Sequence, residues 1–296
     1  DEQVHFREPG SPHKEDLESG TRGAVLGGIT AVFEMPNTDP ATTTALAIND
    51  KIARATGRAW TDFAFYVGAS PENADELGTL ERLPGCCGIK MFMGSSTGAL
   101  LVADDENVAR VLRSGSRRVT VHSEDDMRLT ERAALVAEGA DVSMHPEWRD
   151  VETAVRSTQR LLSLARANHR RVHVLHVSTA EEMAILALAK DIATVEVLPQ
   201  HLTLAAPECY QRLGTLAQMN PPIRDVRHRD ALWVALNNGV VDCIGSDHAP
   251  HTREEKAKPY PRSPSGLTGV QTTVPVMLNH VAEGHLSLQR FVDLMS

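Results

Sequence analysis

A chain of 296 residues, 42% hydrophobic and 23% charged, is long enough to bury a sizeable core; length alone suggests about two units of roughly 150 residues, unless one α/β barrel takes the whole. Its formal net charge of −9, with no basic run of five or more residues, argues against nucleic acid as the main partner, because phosphate binding needs clustered lysine and arginine. No apolar run reaches the ~18 residues of a membrane span and no signal peptide is visible, which points away from the membrane.

In chain order, the first strand-like run is EQVHF (2–6) within DEQVHFREPG, whose alternation places Gln3, His5 and Arg7 on one face and Val4 and Phe6 on the other. ITAVFEM (29–35), DFAFYVGA (62–69) and CGIKMFM (87–93) follow, then RVTVHS (118–123), RVHVLHV (171–177), ATVEVLP (193–199) and VVDCIGSD (240–247). Helix-patterned stretches lie between them, at 44–56, 105–115, 151–168 and 180–191. Eight strands, each followed by helical material, is the count for a (β/α)8 TIM barrel. A doubly wound open sheet is the rival, but it usually carries a Gly-rich phosphate turn after its first strand, and PGSPHKED is not one. Segments 141–150 and 199–226 read as long functional loops. The four cysteines (Cys86, Cys87, Cys209, Cys243) show no C-x-x-C spacing, which suits a reduced, cytoplasmic protein better than a disulfide scaffold. The chain starts without Met and directly on a strand, so it is expected to be a fragment of a longer protein.

Barrel enzymes do their chemistry at the C-terminal ends of the strands. Five predicted strands deliver a ligand-type side chain there: His5, Lys90, His122, His176 and Asp247. Each alone is a weak signal, since a lone strand histidine is more often packed or solvated than a ligand, and a lone lysine more often snorkels. Their coincidence at one rim changes the odds. Neutral imidazoles with a carboxylate suit Zn²⁺ or a similar borderline cation. A buried lysine of lowered pKa can take up CO₂ to form a carbamate, able to bridge two ions about 3.5–4 Å apart. Asp247 is then a natural general base that later returns a proton to a leaving nitrogen.

The landmarks VHFREPG (4–10), EMPNTDP (34–40), GIKMFMGSSTG (88–98), HVLHVSTAEE (173–182), MNPPIR (219–224) and SDHAPHTREEK (246–256) run through almost the whole length. In their order and spacing the chain resembles the dihydroorotases of the amidohydrolase superfamily. That resemblance implies reversible hydrolysis of dihydroorotate to N-carbamoyl-L-aspartate in pyrimidine synthesis, a small-molecule substrate, and one or two Zn²⁺ ions with an N6-carboxylated Lys90. It implies His5, His122, His176 and Asp247 as the other ligands, with Asp247 also the catalytic acid/base. It further implies Arg7, Asn37 and His251 as the clamp for the substrate carboxylate and Asn220 as a contact to the ring. A single barrel over residues 1–296 is expected, with a small β-rich domain built from both termini of the full-length protein. A homo-oligomer and docking to aspartate transcarbamoylase are the macromolecular partnerships it brings.

Three departures stand out. The usual His-x-His of the first strand is Gln3-x-His5, leaving Gln3 as a ligand, a hydrogen-bond partner of ligands, or a spectator. Gln200 precedes His201 where a His-His pair is more usual, and Gln271 stands where an acid is more familiar. Allantoinases and dihydropyrimidinases share the metal chemistry, but Arg7, Asn37 and His251 favour a substrate bearing a carboxylate. The other reading is a catalytically weakened homologue kept as a structural partner of aspartate transcarbamoylase, motivated by Gln3.

Overall fold

Seven parallel strands follow one another around the sheet in chain order: β1 (Ala31–Glu34), β2 (Asp62–Gly68), β3 (Cys86–Phe92), β4 (Val119–His122), β5 (Val172–Val174), β6 (Ala193–Val197) and β7 (Cys243–Ile244). The computed structural model describes residues 1–96 and 100–296. The opening run carries only a single bridging residue: Val4 pairs in parallel with Glu34 on one side and His248 on the other. Its amide donates to Phe33 at 3.2 Å, its carbonyl accepts from Met35 at 2.9 Å, and the His5 amide donates to His248 at 2.7 Å. That segment closes the sheet into the (β/α)8 barrel, with the strands far shorter than their apolar runs at β5 and β7.

Strand alternation sorts the side chains. Ile89 and Met91, Val119 and Val121, Val172 and Val174, and Val195 and Val197 point outward into one cluster with helix residues such as Ile48, Val108, Val111, Leu161, Leu186 and Leu236. Val4 and Phe6 join Leu17, Ala24, Val32 and Phe65 in a second cluster. The opposite set, including Lys90, Thr120, His122, His173 and Glu196, therefore faces the lumen, and all five are buried. A barrel interior filled by polar side chains has to satisfy them with one another or with a bound group.

The predicted helices form at Ala45–Ala55, Asp105–Arg113, Val151–Ala167 and Ala180–Ala187. Thr44, Asp104, Asp150 and Thr179 cap them, each side chain accepting from the backbone three residues on. The last of them stops short of the expected 191, because the chain turns there to feed β6, the Ala193 amide donating to Ala189. Segments 141–150 and 199–226 hold more regular structure than loops. They contain helical turns at His145–Trp148, Pro199–Thr203 and Glu208–Leu213, two of which carry a proline within the first turn, where it fits. Among the described residues no helix is long and apolar enough to cross a membrane.

Candidate active site

The segments that leave the C-terminal ends of the strands form a narrow cleft, lined among others by Gln3, His5, Arg7, Asn37, Lys90, His122, His176, Asn220 and Asp247. His251 is the one sequence-derived candidate outside this lining. It stands behind Arg7, its Nε2 3.3 Å from the guanidinium.

The opening segment aims three side chains inward. His5 lies between two oxygens, Nδ1 2.9 Å from Asn37 Oδ1 and Nε2 3.1 Å from Asp247 Oδ1; with the proton on Nδ1 and donated to Asn37, Nε2 is free for a cation shared with Asp247. Gln3, 1% exposed, donates from Nε2 to the same Asp247 oxygen at 3.0 Å. The reversed amide would set two oxygens against each other, so the chemistry fixes its orientation. Gln3 Oε1 is buried with no hydrogen-bond partner. Arg7 donates from Nε to the Pro250 carbonyl at 2.9 Å. His251 Nε2 donates to the Ser265 carbonyl at 3.1 Å and its Nδ1 accepts from Lys14 at 3.3 Å. Burial, then Arg7 and Lys14, push its pKa down to about 3, so it is a neutral donor beside the guanidinium.

On the opposite wall, Lys90 is fully buried, sits 4.5 Å over the Phe92 ring, and its Nζ finds no hydrogen-bond partner. Burial lowers its pKa to about 7 against the pull of Asp247 and Glu196. His122 Nδ1 lies 3.0 Å from His176 Nε2, while His122 Nε2 donates to Glu124 at 2.8 Å. Glu124 is in turn gripped by Arg149, whose Nη2 donates at 2.6 Å and Nε at 3.1 Å. Burial alone would raise the Glu124 pKa; Arg149 and His122 overturn this and hold it well below the usual range. Burial likewise lowers His5, His122 and His176, leaving neutral imidazoles with lone pairs to offer.

Two of these residues adopt the left-handed backbone region, His176 at φ 38° and Asp247 at φ 44°. Such conformations are held only where the surroundings over-determine them, and they concentrate at functional sites.

The arrangement fits a divalent cation. His5 with Asp247 and His122 with His176 each bring two donor atoms to about 3 Å, near the separation of neighbouring ligands lying about 2.0–2.2 Å from zinc. The orphaned amine of Lys90 is the second sign, since a buried polar group without a partner is expensive unless something bound satisfies it.

Sequence reasoning missed several neighbours. His145 Nε2 lies 3.0 Å from Asn220 Oδ1 and 2.9 Å from the Met219 carbonyl, and its Nδ1 lies 3.1 Å from the Tyr260 hydroxyl. Ser96, Ser265 and Gly266 also line the cleft. The Glu two residues after His122 was the available signal for Glu124; nothing local marks Arg149. Gln200 donates to the Ser246 carbonyl at 2.9 Å, the peptide next to Asp247, and Gln271 is exposed. Thr97 and Gly98, the end of the GIKMFMGSSTG landmark, lie outside the described residues.

No protein-family model matches the chain. It is 35% identical to a dihydroorotase of Halobacterium salinarum, over 99% of this chain and 68% of the relative. It is 32% identical to an allantoinase of Escherichia coli, over 100% of this chain and 68% of that protein. Among solved structures, the L-hydantoinase (dihydropyrimidinase) of Arthrobacter aurescens superposes with a TM-score of 0.93 at 30% identity, covering 100% of this chain and 68% of its own. With the barrel, the rim of histidines and the identity over nearly the full chain, this protein belongs to the dihydroorotase family of metal-dependent cyclic amidohydrolases.

Proposed function

We propose that the protein is a dihydroorotase, reversibly hydrolysing dihydroorotate to N-carbamoyl-L-aspartate. The observation that carries this reading is Arg7 in the same cleft as His5, Lys90, His122, His176 and Asp247: a carboxylate-binding fork beside a set of metal donors. The dihydroorotase relative supports the same choice.

In this reading His5, His122, His176, Asp247 and an N6-carboxylated Lys90 hold one or two Zn²⁺ ions, which when bound acidify water and polarise the ring carbonyl. The near-neutral pKa of Lys90, set by burial, supports the carboxylation, because only the unprotonated amine attacks CO₂. Gln3 positions Asp247 through its amide hydrogen bond. Asp247 takes the proton of the attacking water and delivers it to the ring nitrogen as the amide bond breaks. Arg7, tethered by Pro250, turns its remaining N–H groups to the substrate carboxylate, with Asn37 and His251 beside it. Asn220, braced by His145, contacts the ring. A cytoplasmic setting belongs to the same reading, supported by four free cysteines. So do self-association and docking to aspartate transcarbamoylase, which size-exclusion chromatography with and without that enzyme would test.

Turnover of dihydroorotate, allantoin and dihydrouracil by the zinc-reconstituted protein decides the substrate. Dihydroorotate is expected to be preferred by at least tenfold in kcat/KM; preference for either of the others rejects the assignment. A second reading, a weakened structural homologue, draws on Gln3 in place of an imidazole; absence of both bound zinc and turnover after reconstitution would favour it.

A further inference from the structure

In the barrel lumen next to the cleft, four donors outside its lining meet. Glu2 precedes the closing segment, His173 lies in β5, Glu196 in β6 and Cys243 in β7, and one donor atom from each lies within 4.8 Å of the others. His173 Nε2 is 3.9 Å from Glu196 Oε2 and 3.9 Å from Cys243 Sγ. We propose that Glu2, His173, Glu196 and Cys243 form a second cation site, taking a divalent ion of the zinc class.

The donors are prepared for one. Glu196 is completely buried; one oxygen accepts the His176 amide at 2.9 Å and the other, Oε2, has no partner. Glu2 Oε1 is likewise buried and unpartnered. Two orphaned carboxylate oxygens converging on an imidazole and a thiol are costly in a dry interior, and a shared cation satisfies both at once. The His173 ring is already turned to serve as a ligand, because its Nδ1 donates to the Thr194 hydroxyl at 2.8 Å and leaves the Nε2 lone pair toward the cluster. Gly245 keeps the space open, since a Cβ there would stand 2.5 Å from Glu196 Oε2.

Thiolate, imidazole and carboxylate together select a borderline cation over magnesium or calcium. Tetrahedral zinc separates its ligand atoms by roughly 3.3–3.6 Å, so a contraction of a few tenths of an ångström would bring the two 3.9 Å pairs into range. A groove that includes Glu2, Phe33, Cys243, Phe291 and Met295 gives the ion a way in. Once there, it would tie the segment that closes the barrel through one bridging residue to β5, β6 and β7. That same segment carries Gln3, His5 and Arg7, and Glu196 accepts the His176 amide, so the ion would steady the cleft from beside it.

Cobalt(II) titration of the whole chain tests this, because the described lining of the cleft offers no sulfur ligand. Wild type should bind one more Co²⁺ than Cys243→Ala and show a thiolate-to-cobalt charge-transfer band in the near ultraviolet, absent from that variant. Glu2→Gln should bind the sulfur-ligated ion at least tenfold more weakly. Cys243→Ser, which keeps the volume, should lose the band with an unchanged far-ultraviolet dichroism spectrum, separating ligand loss from misfolding. Cobalt-saturated wild type without the band, a band that survives Cys243→Ala, or unchanged affinity in Glu2→Gln overturns the assignment.

Discussion

Replacing Arg149 by methionine would strand Glu124. The guanidinium makes three contacts to that carboxylate, at 2.6, 3.1 and 3.1 Å, with Arg149 2% and Glu124 0% exposed. Removing one partner of a buried pair costs about 3–5 kcal/mol, because the other charge is left in a low-dielectric site. With about 2.1 cal/mol/K of unfolding entropy per residue, a chain of 296 residues carries roughly 0.6 kcal/mol/K, so Tm should fall by roughly 5–8 °C. Calorimetry of wild type, Arg149→Met and Arg149→Met/Glu124→Gln at pH 7 measures it. The double variant should recover more than half of the loss, since neither charge is then stranded. The Glu124 pKa is held down in the folded state, so its stabilisation is present above the unfolded carboxyl value of about 4.3 and is lost as pH falls toward the folded value. The gap between wild type and Arg149→Met should therefore narrow below about pH 4. A single variant within 1 °C of wild type, on the scale set by that entropy, or a double variant no better than the single, would refute the account.

Asp247→Asn should retain metal yet reduce kcat by roughly 10²–10⁴-fold, the usual worth of a positioned proton carrier; near-normal turnover by the metal-loaded variant rejects the role. Arg7→Lys should raise the KM for dihydroorotate by about tenfold or more, since a point charge cannot replace the planar fork, and an unchanged KM argues against the clamp. Asn37→Ala removes the oxygen that accepts from His5 Nδ1, so competition with a chelator should show metal affinity roughly 10–100-fold weaker; equal affinity would leave the imidazole's orientation to other contacts.

The barrel was legible because its outward faces are written in alternating valine, isoleucine and methionine, and the opening DEQVHFREPG even declared which of its side chains go inward. The rim was legible wherever a histidine or aspartate ended a strand. What escaped reading depends on partners distant in the chain. Arg149 is 25 residues from the carboxylate it grips, and in EWRD it looks like any solvated charge. His145 and Asn220 meet across 75 residues of sequence. His173 and Cys243 lie 70 residues apart in strands whose apolar rhythm invites the reader to pass over them. Segment 199–226 has too mixed a periodicity to show its helical turns, which are set by packing of Leu198, Cys209, Tyr210 and Ile223.

The left-handed backbone at His176 and Asp247 has an evolutionary corollary. Each such residue carries about 1–3 kcal/mol of backbone strain, so the fold spends stability at these two positions to aim side chains into the cleft. Stabilisation of the protein should therefore spare both positions and look to its helix surfaces instead.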